Sequence, residues 1–221
     1  MNIVLFGPPG AGKGTQADNI AKNLKLFKIS TGDLLRKEIE KKTNLGKKIK
    51  LTIDQGSLVS DDIITDLVVK ILHEKKNIKG LIFDGYPRNL NQAKSLDLLI
   101  KNKNKKISCA LSLFVDKDTI IKRILGRESC SKCGVIFNKF FNPATELNHQ
   151  CGSKYLRYRS DDNDRTASSR FETYLQTTLP IIDFYKKQNL LTEINGKQKI
   201  NQIFEQLRGI LTSLEAWLYE F

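Results

Sequence analysis

Short apolar runs alternate with longer amphipathic stretches along most of the chain. The apolar runs predict five buried strands: NIVLF (2–6), LFKIS (26–30), GLIFDGYPR (80–88), CALSLFV (109–115) and LLTEI (190–194). Apolar residues at helical spacing lie between and after these runs, and they predict helices following Thr15 and over 60–74, 119–127, 164–188 and 199–214. The alternation predicts an α/β fold with a five-stranded parallel sheet flanked by helices.

Two of these helices have residues that predict how they begin or bend. Ser60 can cap the helix over 60–74, and Asp61 and Asp62 suit its positive end. Pro180 lies inside the pattern of the helix over 164–188 and predicts a kink, because proline removes a helical hydrogen bond.

The pattern changes from residue 128 to about residue 158. Helical periodicity disappears there, and cysteines, glycines and aromatic residues are scattered among polar ones. This predicts a small domain inserted into the α/β fold.

The composition is that of a globular protein with a strong positive charge. Hydrophobic residues make up 40% of the 221 residues, and 37 Lys and Arg against 24 Asp and Glu give a net charge of +13. Such a charge favours anionic partners, whether nucleic acid, a membrane surface or phosphorylated small molecules. The Lys/Asn-rich stretches 101–107 and 45–50 are more simply solvated faces.

Several classes of protein fit the sequence poorly. There is no apolar run of about 18 residues to span a membrane, and the start, MNIVLFGPPG, lacks the basic and apolar regions of a signal peptide. We therefore expect a cytoplasmic protein with no membrane partner. The whole chain contains two histidines, so the sequence does not favour a mechanism in which histidine acts as the catalytic acid or base.

The four cysteines divide into two groups. Cys109 lies in the apolar run ISCALSLFV and is expected to be buried in the core. Cys130, Cys133 and Cys151 fall close together, and in a cytosolic chain that spacing favours metal binding over a disulfide.

Residues 7–15, GPPGAGKGT, resemble a phosphate-binding P-loop. Gly7, Gly12 and Lys13 match the motif, but Gly14 stands where Ser or Thr is usual, and the hydroxyl arrives one place later at Thr15. The motif follows a predicted strand and opens a predicted helix, which is the context a P-loop requires. The sequence therefore predicts nucleotide binding.

Arginines cluster around other motifs. Arg123 and Arg127 lie four residues apart, so they are expected to share one face of a helix. The remaining candidates are Arg36 after STGDLL, Arg88 closing DGYPR, and Arg159 and Arg170 flanking the return from the insert. Arginine binds phosphate through a planar fork of donors, so this set also favours a phosphorylated ligand.

Across essentially its whole length the chain resembles the adenylate kinases. The segments that carry the resemblance appear in family order: GPPGAGKGT, ISTGDLLR, GSLVSD, FDGYPRNLNQA, RILGR, CSKCG, YRSDD and FYKKQ. The long insert with CSKC looks like the large lid of many bacterial members. The resemblance implies a core P-loop domain of 1–29, 60–125 and 163–221, an NMP-binding helical insert of 30–59, and a lid of 126–162.

The family resemblance implies the reaction ATP + AMP ⇌ 2 ADP, a step in adenine nucleotide homeostasis. The attacking group is a phosphate oxygen that is already anionic, so no general base is needed. Catalysis then depends on positioning and on neutralising charge, with Mg²⁺ accompanying ATP. We expect ATP, AMP and ADP as the partners, no nucleic acid, and a monomer.

Matching the motifs residue by residue implies two nucleotide sites. Thr31 bears on base choice, because uridylate/cytidylate kinases usually carry SAGDLLR where this chain has STGDLLR. The residues implied for ATP are Gly10, Ala11, Gly12, Lys13, Gly14, Thr15, Arg123, Arg127, Ile136, Phe137 and Gln198. The residues implied for AMP are Thr31, Arg36, Ser57, Leu58, Val59, Gly85, Tyr86, Pro87, Arg88 and Gln92, with Arg159 and Arg170 bridging toward the transferred group.

The resemblance also accounts for the shifted hydroxyl of the P-loop. Family members carry glycine after the lysine, and Mg²⁺ is held mainly by ATP oxygens and water. Asp84, at the end of the strand LIFD, is placed to hold that hydration shell, with Thr15 near the phosphates. A simple turn-capping role is the alternative for Asp84.

Metal-binding members of the family carry a second pair of ligands after the CSKC pair. Here that segment reads NHQC, so Cys151 fits, Asn148 stands at the third position, and His149 is one residue away. Cys130, Cys133, Cys151 and His149 would form an ordinary tetrahedral zinc set with a structural role. A metal-free lid held by packing is the alternative.

Three other functions are left open by the sequence. Two lie within the enzyme class: a UMP/CMP kinase and an AMP kinase that uses GTP as its donor. A more distant alternative is a basic zinc-ribbon protein that binds nucleic acid and uses the P-loop for regulation, but it leaves STGDLLR, DGYPR and YRSDD unexplained.

Overall fold

The computed structural model describes residues 1–75 and 78–219 of the chain. Its strands are β1 (Asn2–Phe6), β2 (Phe27–Ser30), β3 (Leu81–Asp84), β4 (Cys109–Phe114), β5 (Arg127–Cys130), β6 (Ile136–Asn138), β7 (Leu156–Arg157) and β8 (Leu191–Asn195). Its α-helices are α1 (Lys13–Leu24), α2 (Thr31–Glu40), α3 (Asn44–Asp54), α4 (Asp61–Glu74), α5 (Leu90–Lys101), α6 (Lys117–Leu125), α7 (Asp164–Thr173), α8 (Leu179–Lys186) and α9 (Ile200–Tyr219). No helix in these two ranges is both long and apolar enough to cross a membrane.

The main sheet confirms the predicted fold class. Five strands run parallel in the order β2-β3-β1-β4-β8, and helices cover both faces. Successive side chains of a strand point to opposite faces. Accordingly, Val4 and Phe6 of β1 enter one buried apolar cluster, while Ile3 and Leu5 enter the other. Burial on both faces explains why the inner strands β1, β3 and β4 are nearly continuous apolar runs, whereas the edge strands β2 and β8 include polar residues such as Lys28 and Glu193.

The parallel arrangement places three loops at one edge of the sheet. In the strand register Leu5 lies beside Asp84, and Asp84 lies beside Ser30. The P-loop after β1, the start of α2 after β2 and the GYPR turn after β3 therefore leave the sheet side by side. Ligands of open α/β sheets bind at this carboxyl edge.

Two segments project from the core. The helices α2 and α3 pack closely, because a Cβ at Gly46 would lie 2.5 Å from the Glu38 carbonyl oxygen. The segment between α6 and α7 forms a second, antiparallel sheet in the order β6-β5-β7.

Several local predictions are corrected by the structure. Ser60 precedes α4, but its hydroxyl makes no capping hydrogen bond. The helix predicted over 164–188 is divided by a π-helical turn, Tyr174–Thr178, which ends just before Pro180 in the first turn of α8. Proline is tolerated there because first-turn N–H groups lack helical partners. The last helix extends to Tyr219, beyond the predicted end at residue 214, while 220–221 lie outside the described residues.

Candidate active site

Two adjoining cavities open at the carboxyl edge of the main sheet. The P-loop cavity is lined by residues 9–16, Asp84, residues 136–138, 141 and 142 of the segment between α6 and α7, and the segment 197–200. The GYPR cavity is lined by Ser57, Leu58, Val59, Pro87, Gln92 and parts of α7 and the π-helical turn. Four cationic side chains line both cavities: Lys13, Arg36, Arg88 and Arg170. The cavities therefore meet where positive charge is concentrated.

The P-loop has the backbone conformation of a phosphate cradle. Gly12 has φ +95°, a left-handed conformation that glycine adopts without steric cost, and α1 begins at the next residue. Gly7 has φ +137°, and a Cβ there would lie 2.6 Å from the Leu113 carbonyl oxygen. The loop thus presents the N-terminus of α1 to the cavity, and a helix N-terminus attracts anions.

Lys13 is held inside the loop. Its Nζ donates to the carbonyl oxygens of Gly7 and Pro8 at 2.7 and 2.8 Å. Burial lowers the pKa of Lys13 to about 7; the positive charges of Arg88 and Arg170 act in the same direction, and Asp84 opposes them. The cavity therefore destabilises an unpaired positive charge and favours an anionic ligand.

Gly14 and Asp84 face each other across a narrow space. A Cβ at Gly14 would lie 3.5 Å from Oδ2 of Asp84, which also lines the P-loop cavity. A serine or threonine at position 14 would fill this space with a hydroxyl group. With glycine, the carboxylate of Asp84 is left facing the start of α1, and the hydroxyl of this helix comes from Thr15.

Buried arginines converge near the junction of the two cavities and repel one another. Burial lowers the pKa of Arg88 to about 10, and the charge of Arg170 adds to this effect. Burial likewise lowers the pKa of Arg159 to about 10, with a further contribution from Arg127. Mutual repulsion among buried guanidinium groups is relieved by a polyanion, and such perturbed groups in a cleft indicate a functional site.

Two carboxylates from YRSDD orient arginines of this cluster. Asp162 accepts hydrogen bonds from two nitrogens of the Arg127 guanidinium, Nη2 and Nε, the latter at 2.7 Å. The Asp162 side chain is 1% exposed. Asp161 accepts from Arg170 at 2.7 Å. Neither aspartate was predicted from the sequence, although acidic residues beside predicted phosphate-binding arginines were a usable signal.

Arg123 and Arg127 do not share a helix face, contrary to the prediction. The helix α6 ends at Leu125, and Gly126 leads directly into β5, which begins at Arg127. Both arginines still line the P-loop cavity. Arg123 donates to the carbonyl oxygen of Gly196 at 2.8 Å and lies 5.4 Å from the ring centre of Phe141, a cavity residue that sequence reasoning missed.

The other residues implied for ATP lie in the P-loop cavity. Gly10 to Thr15, Ile136, the buried Phe137 and Gln198 all line it. Gln16 was not predicted; it is 1% exposed and donates to the Ile200 carbonyl oxygen at 2.9 Å. It joins α1 to the segment that includes Gln198.

The residues implied for AMP are divided between the cavity and the core. Ser57, Leu58, Val59, Gly85, Pro87 and Gln92 line the GYPR cavity. Thr31 and Tyr86 line neither cavity: the Thr31 hydroxyl donates to the Gly85 carbonyl oxygen at 2.7 Å, and Tyr86 is fully buried beside Phe83. Arg159 lines the P-loop cavity only.

The segment between α6 and α7 carries a cluster of metal-ligand type. The ligand atoms of Cys130, Cys133, His149 and Cys151 all lie within 4.8 Å of one another. The Nε2 atom of His149 is buried without a protein partner. Burial raises the pKa of Cys130, but N–H groups of Cys133 and Lys132 at 3.4 and 3.3 Å, together with His149, lower it to about 6.

The Asn148 side chain forms hydrogen bonds within its own turn and does not face the cysteines. Its Oδ1 accepts from the Thr145 N–H at 2.8 Å, and its Nδ2 donates to the Pro143 carbonyl oxygen at 3.1 Å. The geometry therefore brings His149, rather than Asn148, to the three cysteines.

The fourth cysteine lies away from this cluster. Cys109 is buried in the core, 2% exposed, as predicted.

Comparison with known proteins identifies the family. The family model described as adenylate kinase matches residues 5–190. An adenylate kinase of Pelagibacter ubique is 45% identical over 96% of this chain and 99% of its own length. Those of Alkaliphilus oremlandii and Archaeoglobus fulgidus are 41% and 38% identical, covering 97% and 98% of this chain and 98% and 100% of their own lengths. The chain belongs to the adenylate kinase family.

Proposed function

We propose that this protein catalyses reversible, Mg²⁺-dependent transfer of a phosphoryl group from ATP to AMP, giving two ADP and so balancing the adenine nucleotides. The observation that carries the proposal is the meeting of two cavities at Lys13, Arg88 and Arg170. Two nucleotides bound with their phosphates at this junction would place donor and acceptor next to each other.

The P-loop cavity is the proposed ATP site. Backbone N–H groups of Gly10 to Thr15 would hold the phosphates, and Arg123 and Arg127 would approach from the lid side. Ile136, Phe137 and Gln198 would surround the adenine and ribose. The bonds of Arg123 to Gly196 and of Arg127 to Asp162 hold these cations beside the cavity before ligand binds.

The GYPR cavity is the proposed AMP site. Arg36 and Arg88 would bind the AMP phosphate, while Ser57, Leu58, Val59, Gly85, Pro87 and Gln92 would contact the nucleoside. Thr31 and Tyr86 would act through packing, because neither lines the cavity. Their partners are the backbone of Gly85 and the apolar core.

Catalysis would rest on position and charge. The acceptor oxygen of AMP is anionic, so the site needs no general base, and Lys13, Arg88, Arg123, Arg159 and Arg170 would stabilise charge on the transferring group. Mg²⁺ arrives with ATP and neutralises phosphate charge. Asp84 would hold its water shell in the space that Gly14 leaves open.

The lid cluster is the proposed zinc site. Three cysteine sulfurs and one imidazole within 4.8 Å of one another match the donor types and the number of ligands of structural zinc. His149 would supply a ring nitrogen, and its buried Nε2 has no other protein partner. Four protein ligands leave no open position, so the metal would stabilise the lid without entering the reaction.

Water competes with AMP for the phosphoryl group, so the cavities should close around the nucleotides. The proposed moving parts are 30–59 and 126–162, carried on a core of 1–29, 60–125 and 163–221. The first part is joined to the core at its end, where hydroxyl groups of Thr166 and Ser169 donate to carbonyl oxygens of Asp54 and Gln55. Closure of this kind excludes water and completes a phosphoryl-transfer site.

A coupled assay tests the proposal most simply. Each of AMP, CMP, UMP and GMP is offered as acceptor with ATP, and then GTP replaces ATP as donor. AMP and ATP should give the highest kcat/KM. A preference for UMP or CMP would support the pyrimidine kinase alternative, and a preference for GTP would support the alternative donor, neither of which the adenylate kinase relatives favour.

A further inference from the structure

A chain of hydrogen bonds joins the start of α4 to the GYPR turn. Oδ1 of Asp61 accepts from Nε2 of Gln92 at 2.7 Å and from Nδ2 of Asn89 at 2.8 Å. On the other side of the same amide, Oε1 of Gln92 accepts from the backbone N–H of Arg88 at 2.8 Å. Gln92 is 2% exposed and lines the GYPR cavity.

This chain of bonds fixes which way the Gln92 amide points. An ionised carboxylate can only accept a hydrogen bond, and a backbone N–H can only donate one. If the amide rotated by half a turn, its NH₂ would face the Arg88 N–H and its oxygen would face the Asp61 carboxylate. Both contacts would become repulsive in a buried place, where unsatisfied polar groups are costly.

The Asn89 amide is fixed in the same way. Its Oδ1 caps α5 by accepting from the Gln92 N–H at 2.9 Å, so its Nδ2 is left to donate to Asp61. Asp61 therefore receives two donors from the first turn of α5 on a single oxygen. These two hydrogen bonds fix the position of the Asp61 carboxylate, and the carboxylate in turn fixes the orientation of the Gln92 amide.

After these bonds, the Gln92 amide retains one free lone pair on Oε1 and one free N–H on Nε2. Adenine presents the complementary pair, a donor at N6 beside an acceptor at N1. Hypoxanthine and guanine present the reverse, an acceptor at O6 beside a donor at N1. A freely rotating amide could match either pattern, whereas a fixed amide matches one.

We propose that Asp61, together with the Arg88 N–H, locks the amide of Gln92 in the orientation that suits the adenine of AMP. Asp61 is thus a positioning residue that sets the choice of acceptor base without touching the nucleotide. The inference rests on the proposed function, which places AMP in the GYPR cavity. It predicts discrimination against bases of reversed polarity, and no effect on the ATP site.

The test compares AMP with inosine monophosphate, since the two differ at the 6-position group and the N1 proton. In Asp61→Ala the ratio of kcat/KM for AMP over inosine monophosphate should fall about tenfold, the effect of one misoriented hydrogen-bonding group. The KM for ATP should stay within about twofold of wild type, because Asp61 lies outside the P-loop cavity.

Two matched variants separate orientation from charge. Asp62→Ala removes an exposed acid from the same first turn of α4, so it makes the same change in helix-end charge and should leave the ratio unchanged. Asp61→Asn keeps an oxygen at this place, and the fixed Nδ2 of Asn89 would hold that oxygen toward both amides, so this variant should retain most of the wild-type ratio. Should Asp61→Ala fail to fold, Asp61→Ser replaces it, because a serine hydroxyl can donate as well as accept and is expected to cause the same loss.

The outcomes distinguish this inference from the proposed function. A wild-type protein that transfers no phosphate to AMP would overturn the proposed function itself. If AMP is a good acceptor, the lock is overturned by an Asp61→Ala ratio equal to wild type, or by equal losses for both acceptors. An Asp61→Asn variant as impaired as Asp61→Ala would also overturn it, since charge would then matter rather than orientation.

Discussion

Lys13 should take up a proton when ATP binds. Burial and the neighbouring arginines lower its pKa to about 7 in the free protein. The ATP phosphates would bring several negative charges to this ammonium group, and opposite charge favours the protonated form. Binding should therefore raise the pKa of Lys13 well above neutrality, and the proton it gains must come from the solution.

The size of the effect follows from the pKa and depends on pH in a definite direction. At pH 8, one unit above a pKa of about 7, roughly nine tenths of Lys13 is deprotonated in the free protein, so binding should take up about 0.9 proton. At pH 6 about nine tenths is already protonated, and the uptake should fall to about 0.1. ATP affinity should accordingly weaken as the pH rises above 7, because the free protein must first be protonated.

Calorimetric titration of ATP in buffers of different ionisation enthalpy measures this uptake. Lys13→Arg is the matched control, because it keeps a positive charge that does not titrate in this range. Subtracting the control removes protons exchanged by ATP itself. The difference between wild type and control should be large at pH 8 and small at pH 6; an equal difference at both pH values would refute the reasoning.

Three further predictions follow from the site. His149→Ala should lose most of the bound zinc and melt about 5 °C lower, as judged by metal analysis and calorimetry, whereas Asn148→Ala should keep its zinc because Asn148 bonds only within its own turn. Arg36→Ala and Arg88→Ala should raise the KM for AMP about tenfold or more and change that for ATP much less; the reverse pattern would mean that the two sites are exchanged. Thr178→Val should raise the KM for AMP about threefold at constant KM for ATP, because the Thr178 hydroxyl donates to the Arg88 carbonyl oxygen at 2.8 Å.

Patterns within a single element predicted most of the fold. The central strands were readable as apolar runs because both faces of the sheet are buried there. All five residues of β1 are buried, and its one polar side chain, Asn2, donates from Nδ2 to the Lys106 carbonyl oxygen at 2.8 Å. The helix α5 was not predicted, although Asn89 at its cap and Ala93, Leu96 and Ile100 on its buried face carried a readable pattern. Arg127 was assigned to a helix because spacing alone does not show that Gly126 ends α6.

Contacts between distant elements could not be predicted from such patterns. Asp61 and Gln92 are 31 residues apart, and the fold alone brings their side chains together. Similarly, the resemblance placed Tyr86 in the AMP site, while its ring is buried in the core and Pro87 reaches the cavity instead. His149 and Asn148 are neighbours in the chain, and the turn from Thr145 decides which of them joins the cysteines.

The central claim is that the two cavities hold a donor and an acceptor nucleotide at once, with phosphates meeting at Lys13, Arg88 and Arg170. A dinucleotide that joins two adenosines through five phosphates tests this claim most directly. It should bind with a stoichiometry of one, displace both ATP and AMP, and bind far more tightly than the analogue with three phosphates, which is too short to span both sites. A pentaphosphate that displaced ATP while AMP remained bound would contradict the account.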